Sequence, residues 1–206
     1  MMRTFVALEI PHGVKQQMHA LQDHLKELPA LREQPSLLRW TNTQNLHLTL
    51  RFLGDTDKAQ RHQLQNGLAA VAAKHAPFSL TPSRLGCFRS WSNLRVLWVG
   101  LDGELEALQG LQAGVESLAR QVGFSPERNS FSPHITLART ARNAARPALR
   151  AASEKLRRAA EDDEPRNWND WKVSELHFIR SVLGPGGAQY FNLATCAFPN
   201  DTWKTY

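Results

Sequence analysis

Cysteine is scarce in this chain, with only Cys87 and Cys196 among 206 residues. Two cysteines this far apart cannot form a disulfide framework, and neither has the CxxC partner typical of a zinc site. No stretch approaches the roughly 18 apolar residues that a membrane-spanning helix needs. The first residues lack a basic region followed by an apolar signal core. We therefore expect a soluble cytoplasmic protein with reduced thiols and no membrane partner.

Glycine-rich phosphate loops are also missing. The chain contains neither GxGxxG nor GxxxxGK[ST], which argues against dinucleotide and P-loop sites. Positive charge is in excess instead, with 25 Lys and Arg against 19 Asp and Glu, and most of it is arginine. Such a balance favours anionic partners such as nucleic acid or phosphorylated molecules, although a basic surface also serves solubility. With 42% hydrophobic residues, the chain can form one domain over 1–206 or two small lobes that share a core.

One four-residue phrase occurs twice, as His47-Leu48-Thr49-Leu50 and as His134-Ile135-Thr136-Leu137. Successive residues of a β-strand point to opposite faces, so histidine and threonine would share one face while the aliphatic residues share the other. Each copy then presents an imidazole beside a hydroxyl, with its apolar side in a core. One copy is weak evidence for a site, but two copies in matching halves are difficult to explain by chance.

Hydrophobic periodicity predicts the same plan in both halves of the chain. It predicts helices at 14–28, 58–75, 104–122 and 147–161. It predicts strands at 3–9, 38–41, 46–53, 78–85, 94–100, 171–179 and 189–198, and one more beginning at His134. A turn at 184–187 would join the last two strands, and an acidic loop at 161–165 would end the last helix. If the halves pack about a pseudo-twofold axis, both histidines face one groove.

Two imidazoles at one site suit phosphodiester cleavage. Histidine has an unperturbed pKa near 6.5, so a neutral ring can deprotonate water while a protonated ring donates to the departing alkoxide. The hydroxyls of Thr49 and Thr136 would donate hydrogen bonds to the nonbridging phosphate oxygens. A metal site is the main alternative, but no Asp, Glu or Cys stands at ligand spacing beside either motif. Taken alone, each histidine has a second interpretation, as a structural residue of its strand with no part in catalysis.

These motifs resemble the two-histidine phosphoesterases, and specifically the LigT-type RNA 2′,3′-cyclic phosphodiesterases, also called 2′-5′ RNA ligases. The resemblance covers most of the chain, through segments 5–7, 45–54, 95–100 and 131–139 together with Trp40, and is least clear at 140–170. It implies a bilobal α+β fold, with two antiparallel sheets forming a central groove and helices packed outside. It also implies opening of RNA 2′,3′-cyclic phosphate ends to 2′-phosphates without a metal or other cofactor, by a chain that we expect to be monomeric.

Carried onto this sequence, the resemblance makes His47 the proton donor and His134 the base, with Thr49 and Thr136 holding phosphate. It also implies a phosphate-binding arginine at Arg139. Strand alternation disagrees, because Arg139 is five residues after His134 and needs a bulge or strand end near Ala138 to face the groove. Alternation places Arg51, four residues after His47, in the groove instead.

Aromatic residues near the motifs could stack on a nucleobase. Trp40, at the mouth of the first motif strand, is the preferred candidate, because Phe52 has the opposite parity to His47 and would pack inward. Other activities also remain open. The substrate could be a small cyclic nucleotide or a 2′-5′ oligonucleotide, the reaction could run in reverse as ligation, or the groove could bind RNA ends without turnover.

Overall fold

The computed structural model describes residues 1–162, 167–184 and 187–199. Within them the strands are β1 (Met2–Glu9), β2 (Leu38–Trp40), β3 (His47–Thr56), β4 (Phe78–Phe88), β5 (Val96–Gly103), β6 (Ile135–Thr140), β7 (Trp171–Val173), β8 (Glu175–Gly184) and β9 (Gly187–Ala197). The helices are α1 (His12–Lys26), α2 (Pro29–Glu33), α3 (Lys58–Ala72), α4 (Leu105–Gln121) and α5 (Arg146–Glu161). The predicted turn at 184–187 and acidic loop at 161–165 lie partly outside the described residues.

The strands form a curled antiparallel sheet in the order β7-β4-β5-β6-β3-β1-β8-β9, and β2 pairs with β6. The two motif strands, β3 and β6, are therefore neighbours at the centre. They pair only at Leu48 and Ile135, and the rest of β6 pairs with β2 on that side. The α+β prediction is confirmed, and the two sheets expected from the sequence are the halves of one sheet joined at this point.

The aliphatic residues of both motifs face the core. Leu48, Leu50, Ile135 and Leu137 are at most 3% exposed and belong to one cluster with the apolar faces of the helices. This agrees with the alternation of the motifs, because their histidines and threonines are left on the opposite face. A smaller cluster, which includes Phe5 and Ala7 of β1, lies apart from this core and contacts Tyr190.

Each motif strand contains a β-bulge directly after its threonine. In β3, Ala7 pairs with Thr49 and Val6 pairs with Arg51, so Leu50 is the extra residue. In β6, Trp98 pairs with Thr136 and Leu97 pairs with Ala138, so Leu137 is the extra residue. A bulge breaks strict alternation, and the residues that follow it change face. The two bulges therefore decide which side chains reach the groove.

Candidate active site

A pocket of about 80 Å³ lies where the two motif strands meet. Both halves of the chain contribute to it. Its lining residues are Thr41, Asn45, His47, Thr49, Phe52, His134, Thr136, Arg139 and Tyr190. Both histidines and both threonines of the repeated phrase are therefore brought together, as the alternation of the two strands predicts.

The two imidazoles are held in the same way. His47 Nδ1 lies 2.7 Å from the carbonyl oxygen of Asn45, and His134 Nδ1 lies 2.7 Å from the carbonyl oxygen of Ser132. A carbonyl oxygen only accepts, so Nδ1 carries the proton in each ring. In a neutral ring this leaves Nε2 as the basic nitrogen. Each motif thus fixes the tautomer of its histidine through the backbone two residues earlier.

Aromatic rings pack around each imidazole. The ring of Phe5 lies 4.9 Å from that of His47 and the ring of Tyr190 lies 5.3 Å from it, measured between centroids. Phe88 approaches His134 edge-on at 4.6 Å, and Trp98 lies at 6.4 Å. These contacts restrict the rotation of both rings and remove water from around them. The second effect changes their acidity.

Burial lowers the pKa of His47 and of His134 below the ordinary histidine value. The carbonyl hydrogen bonds oppose this shift, whereas the positive charge of Arg139 lowers both pKa values further. The charge of His134 also lowers the pKa of His47. The pocket without an anion therefore favours the neutral form of both imidazoles. A phosphate in the pocket would raise both pKa values.

Arg139 lines the pocket because of the bulge at Leu137. Leu137 and Ala138 are both buried on the core side, and the next residue returns to the groove. The structure thus contains the irregularity that a groove-facing Arg139 requires. Its guanidinium is the one positive side chain that lines the pocket within the described residues.

Arg51 corrects the prediction made from strict alternation. The bulge at Leu50 turns Arg51 to the core side, where it is 8% exposed. Its Nε lies 2.6 Å from Glu116 Oε2, its Nη1 donates to Glu127 Oε2 at 2.7 Å, and its Nη2 donates to the carbonyl of Ser125 at 2.6 Å. Arg51 does not line the pocket, so the prediction that it faces the groove is wrong.

The structure also corrects the expected positions of two aromatic residues, and the bulge at Leu50 explains the first of them. Phe52 was expected to pack inward, but it is 51% exposed and lines the pocket. Trp40 was the preferred stacking residue, but it is half-buried against the core, with Lys26 Nζ 5.6 Å from the centroid of its ring. Trp40 does not line the pocket. Phe52 is therefore the exposed aromatic ring beside the two motif histidines.

Sequence reasoning missed Tyr190, Asn45 and Thr41. Tyr190 comes from the β8–β9 hairpin, far from either motif in the chain. Asn45 connects that hairpin to the first motif, because its Nδ2 donates to the carbonyl of Ala188 at 2.7 Å. No local pattern marks Tyr190, but Asn45 had a signal, since its carbonyl stands at the same offset from His47 as that of Ser132 from His134.

Two structural findings concern metal binding and membrane-spanning helices. Among the described residues, no group of three or more His, Cys, Asp or Glu side chains is arranged to hold a metal ion. No helix in that part of the chain is long and apolar enough to cross a membrane. His177 of β8 is buried, at 4% exposed, and its Nε2 lies 3.3 Å from Glu175 Oε1.

Comparison with known proteins identifies the family. The model of the 2′-5′ RNA ligase superfamily matches residues 13–185, which is most of the chain and includes both motifs. This chain belongs to that superfamily. The match agrees with the resemblance carried by the two histidine phrases and their flanking segments.

Several relatives of this chain are named RNA 2′,3′-cyclic phosphodiesterase. The one from Aeropyrum pernix is 33% identical over 158 residues, covering 76% of this chain and 84% of that protein. The one from Methanothermobacter thermautotrophicus is 26% identical over 191 residues, covering 93% and 96%. The one from Geobacillus stearothermophilus is 42% identical over 100 residues, covering 48% of this chain and about a third (32%) of that relative.

Several solved structures share the fold of this chain. Escherichia coli LigT complexed with 3′-AMP superposes with a TM-score of 0.71 at 25% identity, covering 97% of this chain and 99% of that one. A protein from Thermus thermophilus superposes with a TM-score of 0.72 at 26% identity, covering 97% and 100%. Kluyveromyces marxianus Usb1, at 13% identity and a TM-score of 0.56, shares the fold alone.

Proposed function

We propose that this protein hydrolyses the 2′,3′-cyclic phosphate ends of RNA to 2′-phosphate ends, with His47 as general acid and His134 as general base. The observation that carries the proposal is the matched pair of imidazoles in one pocket, each with Nδ1 bonded to a carbonyl and Nε2 left for chemistry. The names of the relatives and the 3′-AMP bound by Escherichia coli LigT support it. The acid and base labels follow the family resemblance.

The reaction needs two proton transfers. His134 Nε2 takes a proton from water as the water oxygen attacks phosphorus. The bond between phosphorus and the ribose 3′ oxygen breaks, and protonated His47 Nε2 gives that oxygen its proton. Phosphorus stays attached to the 2′ oxygen, so the product is a 2′-phosphate. Each transfer contributes about 10²- to 10⁴-fold to the rate.

Three other pocket residues bind the charged phosphate in this proposal. Thr49 and Thr136 donate hydroxyl hydrogen bonds to the nonbridging oxygens, and Arg139 adds a charge-assisted bond of roughly 1.5 to 3 kcal/mol. Because every proton and every phosphate contact is assigned to a side chain of this protein, we expect turnover in the presence of a chelator.

Phe52 gives the site its preference for a nucleotide end. Its exposed ring lies on the His47 side of the pocket, beside Phe5, with 5.8 Å between ring centroids. The leaving 3′ oxygen belongs to the terminal ribose, so the terminal nucleoside lies on the same side as the acid. Stacking of its base on Phe52 would contribute about 1 to 3 kcal/mol. The same site run backwards would join a cyclic end to a 5′-hydroxyl through a 2′-5′ bond.

The direct test uses an oligonucleotide that ends in a 2′,3′-cyclic phosphate, incubated with the protein in EDTA. We expect a product one water heavier that co-elutes with the authentic 2′-phosphate and not with the 3′-phosphate. Binding without product formation would support the alternative that the protein binds RNA ends without catalysis. Equal or faster turnover of small cyclic nucleotides would assign the site to those instead, and a 3′-phosphate product would reverse the orientation of the substrate.

A further inference from the structure

One polar side chain lies in the apolar face that α1 packs against the core. Gln22 is 1% exposed, and the other buried residues of this helix are Val14, Met18, Leu21 and Leu25. Burial of an amide group costs free energy unless its hydrogen bonds are formed inside the protein. A glutamine among these aliphatic residues therefore needs hydrogen-bond partners in the core.

The partners of Gln22 come from both halves of the active site. Its Nε2 donates to the carbonyl of Thr41 at 2.9 Å and to the carbonyl of Leu137 at 3.0 Å. The backbone N–H of Thr41 donates to the same Leu137 carbonyl at 2.8 Å. A side-chain amide has two N–H donors, which is one for each carbonyl. One side chain of α1 thus joins the segment before the first motif to the strand of the second motif.

Leu137 is the extra residue of the bulge in β6. The bulge changes the face of the residues that follow it, and without it strand alternation would place Arg139 on the core side. The Leu137 carbonyl belongs to the peptide group between Leu137 and Ala138, and Arg139 comes directly after that pair. Two donors, from Gln22 and Thr41, fix the orientation of this peptide group. The direction of the Arg139 side chain therefore depends on it.

Thr41 extends the same connection to the first motif. It lines the pocket and begins segment 41–46, which joins β2 to β3. That segment contains Asn45, whose carbonyl oxygen lies 2.7 Å from His47 Nδ1. Gln22 itself is buried and does not line the pocket. Any effect of Gln22 on the reaction must therefore act through the residues that it holds.

We propose that Gln22 is a positioning residue, which keeps the guanidinium of Arg139 in the pocket by holding the peptide group of the Leu137 bulge. This proposal rests on the proposed function, in which Arg139 binds the phosphate. The replacement of Gln22 should lower activity because Arg139 is no longer directed at the phosphate. The loss should therefore disappear when Arg139 has already been removed.

A double-mutant cycle tests this dependence. Gln22→Met keeps the length of the side chain but removes both N–H donors. It should lower kcat/KM for the cyclic-phosphate oligonucleotide about tenfold in the otherwise unaltered protein, and less than about twofold in the Arg139→Ala background. Losses of the same size in the two backgrounds would overturn the proposal, because Gln22 would then act independently of Arg139.

A second measurement needs no turnover. Burial is the main cause of the lowered pKa of His134, and the positive charge of Arg139 lowers that pKa further. NMR titration of His134 without substrate should give a higher pKa for Gln22→Met than for the unaltered protein, as it should for Arg139→Gln. An unchanged pKa in Gln22→Met would overturn the proposal. Failure of the proposed function is separate, since it shows as no hydrolysis by the unaltered protein.

Gln17→Met is the matched control on the same helix. Gln17 also bonds to the backbone, because its Nε2 donates to the carbonyl of Asn167 at 3.0 Å and its Oε1 accepts from the N–H of Asn169 at 2.9 Å. None of these three residues lines the pocket. Gln17→Met should therefore leave kcat/KM and the pKa of His134 unchanged.

Circular dichroism shows whether each variant is folded. If Gln22→Met does not fold, Gln22→Leu replaces it in both measurements as a second apolar substitution without donors. Failure of both variants to fold would overturn the proposal, because Gln22 would then be needed for the fold as a whole.

Discussion

Phe52 and Arg139 occupy equivalent places in the two halves of the molecule. Each is the fifth residue after its motif histidine, and each reaches the pocket because a bulge at the preceding motif leucine changes the face of the strand. The histidines and threonines repeat between the halves, but at this position one half supplies an aromatic ring and the other a cation. Under the proposed function, the aromatic ring would face the nucleoside and the cation would face the phosphate.

Arg139→Ala should reduce kcat/KM for the cyclic-phosphate oligonucleotide about 10- to 100-fold. The reason is the loss of a charge-assisted hydrogen bond to a phosphate whose charge grows in the transition state. Arg39→Ala is the matched control, because Arg39 is exposed and pairs with Arg139 across β2 and β6, but does not line the pocket. Steady-state kinetics on both folded variants make the comparison. Equal losses would indicate general electrostatic attraction instead.

Phe52→Ala should raise KM for the oligonucleotide about tenfold, because the base loses its stacking surface. Phe52→Tyr keeps that surface and should restore most of the affinity. Trp40→Ala should leave KM unchanged and lower the free energy of unfolding, since Trp40 packs against the core. The opposite pattern, with KM sensitive to Trp40 and not to Phe52, would return the stacking role to Trp40.

The sequence predicts the positions of the site residues that precede the bulge in each motif strand, but not the positions of those that follow it. Strand alternation places His47, Thr49, His134 and Thr136 correctly, because those residues precede the irregularity in each strand. Arg51 and Phe52 are misplaced because a bulge depends on pairing with a neighbouring strand, which a local pattern does not contain.

Long-range contacts limit sequence reasoning in the same way. Tyr190 reaches His47 through a hairpin that Asn45 holds by a hydrogen bond spanning 143 positions. The helices and strands themselves follow from local periodicity. Asp57 caps α3 through a reciprocal pair of bonds with Gln60, directly before the residue at which the sequence predicts that helix to begin. Arg139 was located by family resemblance, against the alternation of its strand.

The dependence of kcat/KM on pH should be bell-shaped, with its maximum below about pH 6.5. Both histidines have lowered pKa values in the free protein. In the proposed mechanism, activity needs neutral His134, which is lost as pH falls through its pKa, and protonated His47, which is lost as pH rises through its own. Because both pKa values lie below the ordinary value near 6.5, both limbs lie on the acid side.

Two further pH–rate profiles test what lowers the pKa values of the two histidines. The profile of kcat should lie at higher pH than that of kcat/KM, because bound phosphate raises the pKa of both imidazoles. Arg139→Gln should also move the kcat/KM profile upward, because its positive charge lowers both pKa values. A kcat/KM that is flat between pH 5 and 8 would contradict the two-histidine assignment.

His47→Ala and His134→Ala should each lower turnover of the RNA substrate about 10²-fold or more without unfolding the protein. The acid and base roles can be distinguished with bis(4-nitrophenyl) phosphate as substrate, because its weakly basic leaving group departs without a proton. On that substrate His47→Ala should lose tenfold or less, whereas His134→Ala should lose as much as it does with RNA. Initial rates of nitrophenolate release provide the measurement. If His134→Ala is the variant that recovers, the acid and base labels must be exchanged.

Arg51→Met should destabilise the fold by about 3 kcal/mol, because it leaves Glu116 without its partner in a site where that carboxylate is only 20% exposed. Glu127→Gln should cost less than about 1 kcal/mol, since Glu127 is 41% exposed and water replaces the lost ion pair. Urea unfolding followed by circular dichroism measures both. At temperatures where Arg51→Met is fully folded, its KM for the RNA substrate should match that of the unaltered protein. A variant of normal stability with a raised KM would instead mean that Arg51 reaches the phosphate.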